Sequence, residues 1–536
     1  MQVWGRRGMV SSMHPDATLA GLDVLKAGGN AVDAAVALAA TVAVTSHNWS
    51  GIAGDTVWLI HDATKGETTS LDGYGTCPAG LTNECLAAHF GLSENDHALR
   101  EEPDGIRDRG VIASMLPGTP AAWVQAWRRY GTRDFEELLA RAVALAEDGI
   151  AVSAYLGGSL HDMQAKLAGF EASRRIFFNP DGEPLREGDT LVQTDLARTL
   201  RRFGRDPENE FVSGETAQAI LACGKRGGSP IIAADLAGYR PVWREPIRGA
   251  YRGRNLVSTP PPTSGAHVIQ ALAILEHFSL SELGYHSPES LHVIIEALRH
   301  ALADRRAFGG DPDFAAVDLA QLLDPQRAAD GARSIRAGSP ARRKGDRPST
   351  AGGTTHFVVV DPAGNIVTGT QTIGNDFGCG EVADGTGLVM NDRTWWMALS
   401  EGPNVVAPGR RANIGHAPTI VFDGAAPCMA LGSPGGFGIV QYVVQVIVNV
   451  LDYGLDLQSA IDAPRFRIQD LTGAVSCESH FEPATLDALE TYGHRVERLP
   501  AWSDRVGGVE GAFRSGPDGN LLGGHDVRRN SLAAGF

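Results

Sequence analysis

The sequence predicts an α+β chain, with helices and strands segregated along its length rather than alternating, and three observations predict it. Helical spacing of apolar residues runs through 16–27 and 31–44 and dominates from 118 to 305. Alternating segments near 55–61 and 67–72 read as strands, so the N-terminal part begins as helices followed by sheet. After residue 353 the pattern turns abruptly to strand, beginning with Phe357-Val358-Val359-Val360.

Taken in order, residues 16–27 form a helix that stops at Gly28-Gly29, where glycine supplies the left-handed position past a helix end. Asn30 then caps a second helix, with Asp33 in its first turn. Val32, Ala35, Val36 and Ala39 recur at helical spacing and the opposite face is also small and apolar, so this helix is buried on most sides. Further helices are predicted at 119–129, 135–147, 194–203 and 288–307, and the rigid Pro260-Pro261-Pro262-Thr263-Ser264-Gly265 leads into another near Ala266. Residues 331–353 carry Arg333, Arg336, Arg342, Arg343, Lys344 and Arg347 among Gly, Ser and Pro, with almost nothing apolar. They read as an exposed, mobile segment, or more simply as an interdomain linker.

The next element fixes a register. Pro362 suits the second position of a type I turn and Gly364 the left-handed position after it, so Asp361-Pro362-Ala363-Gly364-Asn365 closes a three-residue hairpin loop. With Asp361 facing Asn365, counting back along both strands sets Thr354 opposite Thr372. Directly opposed residues have β-carbons ~5 Å apart, within reach of a hydroxyl–hydroxyl hydrogen bond.

Composition narrows the function. The 536 residues are 43% hydrophobic and 21% charged, as in an ordinary globular protein, and long enough to bury a core without metal or disulfide staples. A formal net charge of −16 disfavours nucleic acid and anionic membrane as partners and favours a small-molecule enzyme. Cysteines at 77, 85, 223, 379, 428 and 477 include no C-x-x-C pair, and read as reduced, mostly buried thiols. The opening residues lack the apolar core of a signal peptide and the longest apolar run, Ala34 to Val44, is too short to span a bilayer, so a cytoplasmic location is expected.

Familiar catalytic signatures (a phosphate-binding G-x-x-x-x-G-K-[ST], G-x-S-x-G, H-E-x-x-H) are missing. His292, Glu296 and His300 are spread over two helical turns and read as a solvated or core histidine pair. Gly432-Ser433-Pro434-Gly435-Gly436 lacks a lysine and a clear helix to open, and on its own reads as a turn. The unusual feature is Gly352-Gly353-Thr354-Thr355-His356, a small-residue joint before a buried strand. A threonine hydroxyl becomes a competent nucleophile when its own free α-amine is the base. Such an enzyme must first cut its chain before that threonine, and Gly353 would give the scissile bond conformational freedom. The plainer alternative is a polar hairpin entry.

Gly353-Thr354-Thr355-His356 with its hairpin, and Leu431-Gly432-Ser433-Pro434-Gly435-Gly436, resemble the γ-glutamyltransferase family of Ntn-hydrolases. So do Gly28-Gly29-Asn30-Ala31-Val32-Asp33-Ala34-Ala35, the triple-proline segment, Asp452-Tyr453-Gly454-Leu455 and Ala463-Pro464-Arg465-Phe466, in family order over nearly the whole chain. The resemblance implies a four-layer αββα sandwich with two central antiparallel sheets. It implies one precursor cut into chains 1–353 and 354–536 that form a single composite body, alone or as a homodimer of such heterodimers. Thr354 is then the nucleophile of self-cleavage and catalysis, Thr372 the threonine that contacts it, and Gly435 and Gly436 the oxyanion hole. No metal or organic cofactor is implied.

The departures from the family fall in its clamp for the glutamate head group. Tyr74 stands where the family has a carboxylate-binding arginine, Ile414 and Gly415 replace its serine pair, Trp396 replaces its acidic residue, Gly374 its asparagine and Arg393 its glutamine. A tyrosine does not replace a bidentate arginine. The expected substrate is an amide whose acyl group lacks the amino-acid head group, as for relatives in the family with altered clamps, the cephalosporin (glutaryl) acylases and oxamate amidohydrolases. Arg393, Arg410, Arg411 and His416 are candidates to neutralise an anionic substrate, with surface solvation expected for at least two of them. Trp395 and Trp396 either wall off a small pocket or stack on a bulky acyl chain. The function expected is hydrolysis of a small-molecule amide by a self-processed threonine enzyme. Conventional glutathione hydrolysis or γ-glutamyl transfer is the alternative, and an unprocessed ligand-binding relative the remoter one.

Overall fold

The computed structural model describes residues 2–91, 108–335, 353–398, 402–469, 474–515 and 519–536. Two seven-stranded sheets dominate it, and every strand pair within them is antiparallel. The first runs from Leu532–Gly535 through Met9–Ser12, Thr355–Val360, Ile366–Thr372, Asp55–Asp62 and Glu67–Gly73 to Val242–Arg244. The second runs from Val3–Gly5 through Asn520–Gly524, Glu510–Ser515, Ala426–Gly432, Thr419–Asp423 and Arg254–Ser258 to Ile247–Tyr251.

Side-chain alternation explains the layering. Along the strand Thr355–Val360, Val358 and Val360 face the second sheet, in a core with Met9, Leu59, Ile420 and Ala430. Phe357 and Val359 face the other way, into the core under the helices Pro15–Lys26, Ala31–Thr45, Thr119–Tyr130, Phe135–Asp148 and Thr194–Arg205. The outer face of the second sheet is covered by Gly265–Leu275, Pro288–Phe308, Ile439–Leu451 and Leu457–Asp462. The order is helix, sheet, sheet, helix, the four-layer sandwich expected. A strand buried on both faces needs no polar side, which is why this one reads as a continuous apolar run.

Local signals act as anticipated. Asn30 accepts from the Val32 and Asp33 N–H groups while Asp33 accepts from the Asn30 N–H, a capping box, and all fifteen residues of Ala31–Thr45 are buried. Among the described residues no helix is long and apolar enough to cross a membrane. All six cysteines are free, four of them buried.

One segment differs. Residues 331–335 are not part of a mobile stretch: the helix Pro325–Ser334 carries Gly331 and Ala332 on its buried face, and Ile335 is buried after it. Ala328, Gly331, Ala332 and Ile335 supply a helical stripe that the charged Asp330 and Arg333 between them conceal. The remainder of that expected segment, 336–352, lies outside the described residues.

The hairpin has the register counted from its turn, with Thr355 opposite Gln371 and Val360 opposite Ile366, and Gly364 at φ +87°. The next strand pairs Thr372 with Asp55, and the one after it pairs Thr56 with Gly73, so one further step sets Asp55 opposite Tyr74. Thr354, Thr372, Asp55 and Tyr74 therefore form one row across the end of the first sheet.

Candidate active site

Thr354 heads a central strand and is buried at 4% exposure. Its Oγ1 lies 2.5 Å from the carbonyl oxygen of Gly353 and 3.2 Å from Thr372 Oγ1. Thr372 Oγ1 donates to the same Gly353 carbonyl at 2.7 Å and accepts from the Gly374 N–H at 2.9 Å. Two threonine hydroxyls thus meet at one peptide carbonyl. Gly353 is glycine here for steric reasons: a β-carbon would stand 2.4 Å from Trp49 Cδ1. That indole is fixed by its N–H donating to Asp376 Oδ1 at 3.0 Å.

The glycine loop closes the site from the second sheet. Gly432, ending its strand, packs so tightly on the His356 ring that a β-carbon would stand 2.2 Å from Cε1. This contact ties the loop to the strand headed by Thr354. Gly435 and Gly436 have φ of +118° and +58°, open to glycine and strained for other residues. The loop passes through a single turn, Gly436–Gly438, into the helix Ile439–Leu451. The helix-opening context that the sequence did not reveal is therefore present, hidden because Phe437 and Gly438 mask the start. His356 itself is held between Thr370 Oγ1 at 2.8 Å and Thr368 Oγ1 at 3.0 Å, and burial pushes its pKa down to about 3. It is a neutral structural group.

The clamp positions come together as an apolar wall. Tyr74, Trp396 and Ile414 belong to one buried cluster with Met115, Met397 and Ala412, and half-buried Trp395 packs against it. Trp396 meets Phe437 edge-on at 5.2 Å. The two glycines at clamp positions have no room for a side chain. A β-carbon on Gly374 would stand 1.6 Å from Asp392 Oδ1, and one on Gly415 2.0 Å from the Gly436 carbonyl oxygen. Asp392, in turn, is held by the Asn375 side chain at 2.7 Å. The triple-proline segment braces this wall: the Ile414 N–H donates to the Pro262 carbonyl at 3.1 Å and the Ser264 N–H to that of His416 at 2.9 Å.

Three of the four cationic candidates are buried, contrary to the expected surface solvation of at least two. Arg393 is 1% exposed, its Nε 2.7 Å from Asp55 Oδ2. His416 is buried with its Nδ1 2.7 Å from the Tyr74 hydroxyl, and burial first, then the Arg393 charge, holds its pKa well below 6.5. Arg411 is taken up by the Arg240 carbonyl and by Asp313 and Asp72, while half-buried Arg410 donates to the Val405 carbonyl. Composition does not show burial, and the acidic partners lie far away in sequence. Asp55 and Asp392 were not anticipated; burial raises both carboxyls to about 6, although Arg393 pulls Asp55 down.

The histidines on Pro288–Phe308 are core residues. His292 Nδ1 lies 2.8 Å from His494 Nε2, and Glu296, close enough to both rings to share a metal ion, is engaged by Arg299 at 2.5 Å.

Two antiparallel sheets between helical layers, with a threonine at the head of a central strand, define an N-terminal-nucleophile hydrolase or acyltransferase. The family model described as gamma-glutamyltranspeptidase matches residues 17–536, and the chain belongs to that family. It is 36% identical to the glutathione hydrolase proenzyme of Escherichia coli, covering 100% of this chain and 93% of that one. It is 35% identical to the acylase ACY 1 proenzyme of Pseudomonas sp. strain V22, covering 97% and 92%. A solved cephalosporin acylase from Bacillus halodurans superposes with a TM-score of 0.91 at 29% identity, over 100% of this chain and 97% of that chain.

Proposed function

We propose that this protein is a self-processing threonine amidohydrolase acting on an amide whose acyl group carries no amino-acid head group. The observation that carries the reading is the filled clamp: Tyr74, Trp396 and Ile414 in one apolar cluster, and Gly374 and Gly415 where no side chain fits. In maturation, Thr354 Oγ attacks the Gly353 carbonyl carbon while Thr372 donates to its oxygen. The amide nitrogen leaves as the Thr354 α-amine, and water cleaves the resulting ester to release the Gly353 carboxylate. In turnover, the α-amine takes the Oγ proton as Oγ attacks the substrate carbonyl. The Gly435 and Gly436 N–H groups hold the oxyanion, a role worth ~3 kcal/mol per donor. The amine departs with a proton and water hydrolyses the acyl-enzyme. The free cysteines support a reducing, cytoplasmic setting.

The second reading is γ-glutamyl hydrolysis or transfer, favoured by the full-length identity to a glutathione hydrolase. Denaturing intact-mass measurement followed by assay on γ-glutamyl, glutaryl and oxamate amides separates the two. Fragments meeting at Gly353–Thr354, lost in Thr354→Ala, with activity on acyl amides lacking the α-amino group, are expected. An uncut chain sinks the mature-enzyme reading, and preference for γ-glutamyl amides establishes the second.

A further inference from the structure

Gly353 is held from two sides. On one side its carbonyl oxygen meets the Thr354 and Thr372 hydroxyls. On the other lie an indole and a carboxylate: a β-carbon on Gly353 would stand 2.4 Å from Trp49 Cδ1 and 3.0 Å from Asp376 Oδ1. Thr372 and Asp376 belong to one short stretch, with the Gly374 N–H between them donating to Thr372 Oγ1. The same turn thus carries the hydroxyl at the scissile carbonyl and the carboxylate behind the scissile residue.

Asp376 is half-buried and gives both oxygens to neutral donors. Oδ1 accepts from the Trp49 Nε1–H at 3.0 Å and Oδ2 from the Ser159 hydroxyl at 2.6 Å. Its side chain forms no ion pair among the described residues. The nearby Lys166 pairs with Asp108 and reaches only the Asp376 backbone carbonyl, at 3.5 Å. The indole has further neighbours: Tyr155 meets it edge-on at 5.5 Å, and the Arg529 guanidinium lies over it at 4.8 Å. Backbone bonds tie its loop to the turn, from the Ile373 N–H to the Trp49 carbonyl and from the Phe377 N–H to that of Asn48. Ring contacts confine the indole to a plane, and the directional N–H bond to Asp376 fixes its place within that plane.

Intramolecular attack is sensitive to placement, since a shift of about 1 Å can cost ~100-fold in rate. We infer that Asp376 is a positioning residue for self-cleavage, acting through Trp49 to keep the Gly353 carbonyl against the two threonine hydroxyls. Trp49 and Ser159 lie before the cut, Asp376 and Arg529 after it, so the brace forms only when both parts of the precursor have folded together. Its partner in the reaction is the Gly353 peptide, which the cut removes, so the brace has no part in turnover. This role rests on the self-processing reading above and assigns to it a residue that serves maturation alone.

The test follows precursor made by cell-free translation, with fragment appearance read by denaturing mass spectrometry. Asp376→Ala should cut roughly 100-fold more slowly than wild type. Asp376→Asn keeps an oxygen that accepts from the indole, without the charge that strengthens the bond, and should cut within about tenfold of wild type. Trp49→Phe removes the N–H itself. Added to Asp376→Ala it should slow cutting by no more than about threefold further, because both changes break one bond. Once fully cut, Asp376→Ala should keep kcat/KM on glutaryl and γ-glutamyl p-nitroanilides within about threefold of wild type.

Cutting of Asp376→Ala at the wild-type rate overturns the role, as do effects of the two changes that multiply in full. Asp376→Asn as slow as Asp376→Ala overturns it too, by making the charge itself the agent. Turnover lost in step with cutting replaces it with a general disturbance of the site. In all of these the wild type still cuts and the self-processing reading stands, whereas a wild type that never cuts overturns both. Should Asp376→Ala fail to fold, Trp49→Phe alone decides: cutting slowed by about tenfold or more supports the role, and a smaller effect overturns it.

Discussion

Thr372 Oγ1 stands 3.2 Å from Thr354 Oγ1 across the hairpin, and both hydroxyls converge on the carbonyl oxygen of Gly353. One donor stabilising a developing oxyanion is worth ~3 kcal/mol, or two to three orders of magnitude in rate. Thr372→Val should therefore slow self-cleavage by that factor, and Thr372→Ser should restore most of it. A time course of fragment appearance by denaturing mass spectrometry reads the effect, and cleavage of Thr372→Val at the wild-type rate would refute it.

Gly353→Ala should impair cleavage through packing rather than chemistry. Its new β-carbon would press on Trp49 Cδ1, and overpacking of this kind costs ~1–3 kcal/mol. The smaller ring of Trp49→Phe should partly restore processing in the double variant. Two variants whose effects simply add would show that the contact is not the cause.

Gly374→Asn, which reinstates the family side chain, should destabilise the fold rather than rebuild the clamp. The position has φ +108° and its β-carbon would overlap Asp392 Oδ1. A loss of at least ~1–3 kcal/mol in denaturant unfolding is expected, reduced when Asp392→Ala is added. A stable Gly374→Asn that gains γ-glutamyl activity would contradict the filled clamp.

Acid should weaken the fold between pH 6.5 and 4. His47 and His267 are held down to about 4, and His356 to about 3, in each case chiefly by burial. A folded-state pKa below the unfolded value means that the unfolded chain binds more protons in that window, so stability is full above 6.5 and falls as pH drops. Asp55 and Asp392, raised to about 6, act in the opposite sense, as do Asp311, Asp376, Asp462 and Glu510, also raised chiefly by burial, but the histidines held down by burial are more numerous. Denaturant unfolding at stepped pH should show stability declining toward pH 4, with a shallower slope in His356→Asn; a flat profile would count against buried neutral histidines.

Much of this was legible in the chain because local chemistry fixes local geometry. Pro362 and Gly364 set the hairpin, and the hairpin alone sets Thr354 against Thr372. The clamp departures were likewise visible one residue at a time. What remained hidden needed pairing between distant segments. Nothing in residues 50–60 shows that Asp55 will face Thr372 or hold Arg393, since no short turn links their strands. The same gap left surface solvation expected for at least two of Arg393, Arg410, Arg411 and His416, three of which are buried, and made Gly353 look permissive when Trp49 explains it. Asp392 could have been suspected from its place beside two altered clamp positions.

The interleaved order of the sheets has a kinetic consequence. In the first sheet, Met9–Ser12 lies between Leu532–Gly535 and Thr355–Val360, so strands from before and after residue 353 alternate at that edge. In the second, Val3–Gly5 caps one side of a block drawn from beyond residue 353 and Arg254–Ser258 flanks the other. A cut before Thr354 leaves two polypeptides that cannot part without opening both sheets. The uncut chain folds by a first-order process. The cut one, once unfolded, regains its shape only when two separate molecules meet, a second-order event that dilution suppresses. Such a cut would exchange reversibility for activity, and the working lifetime of the cut molecule would be set by how slowly it unfolds.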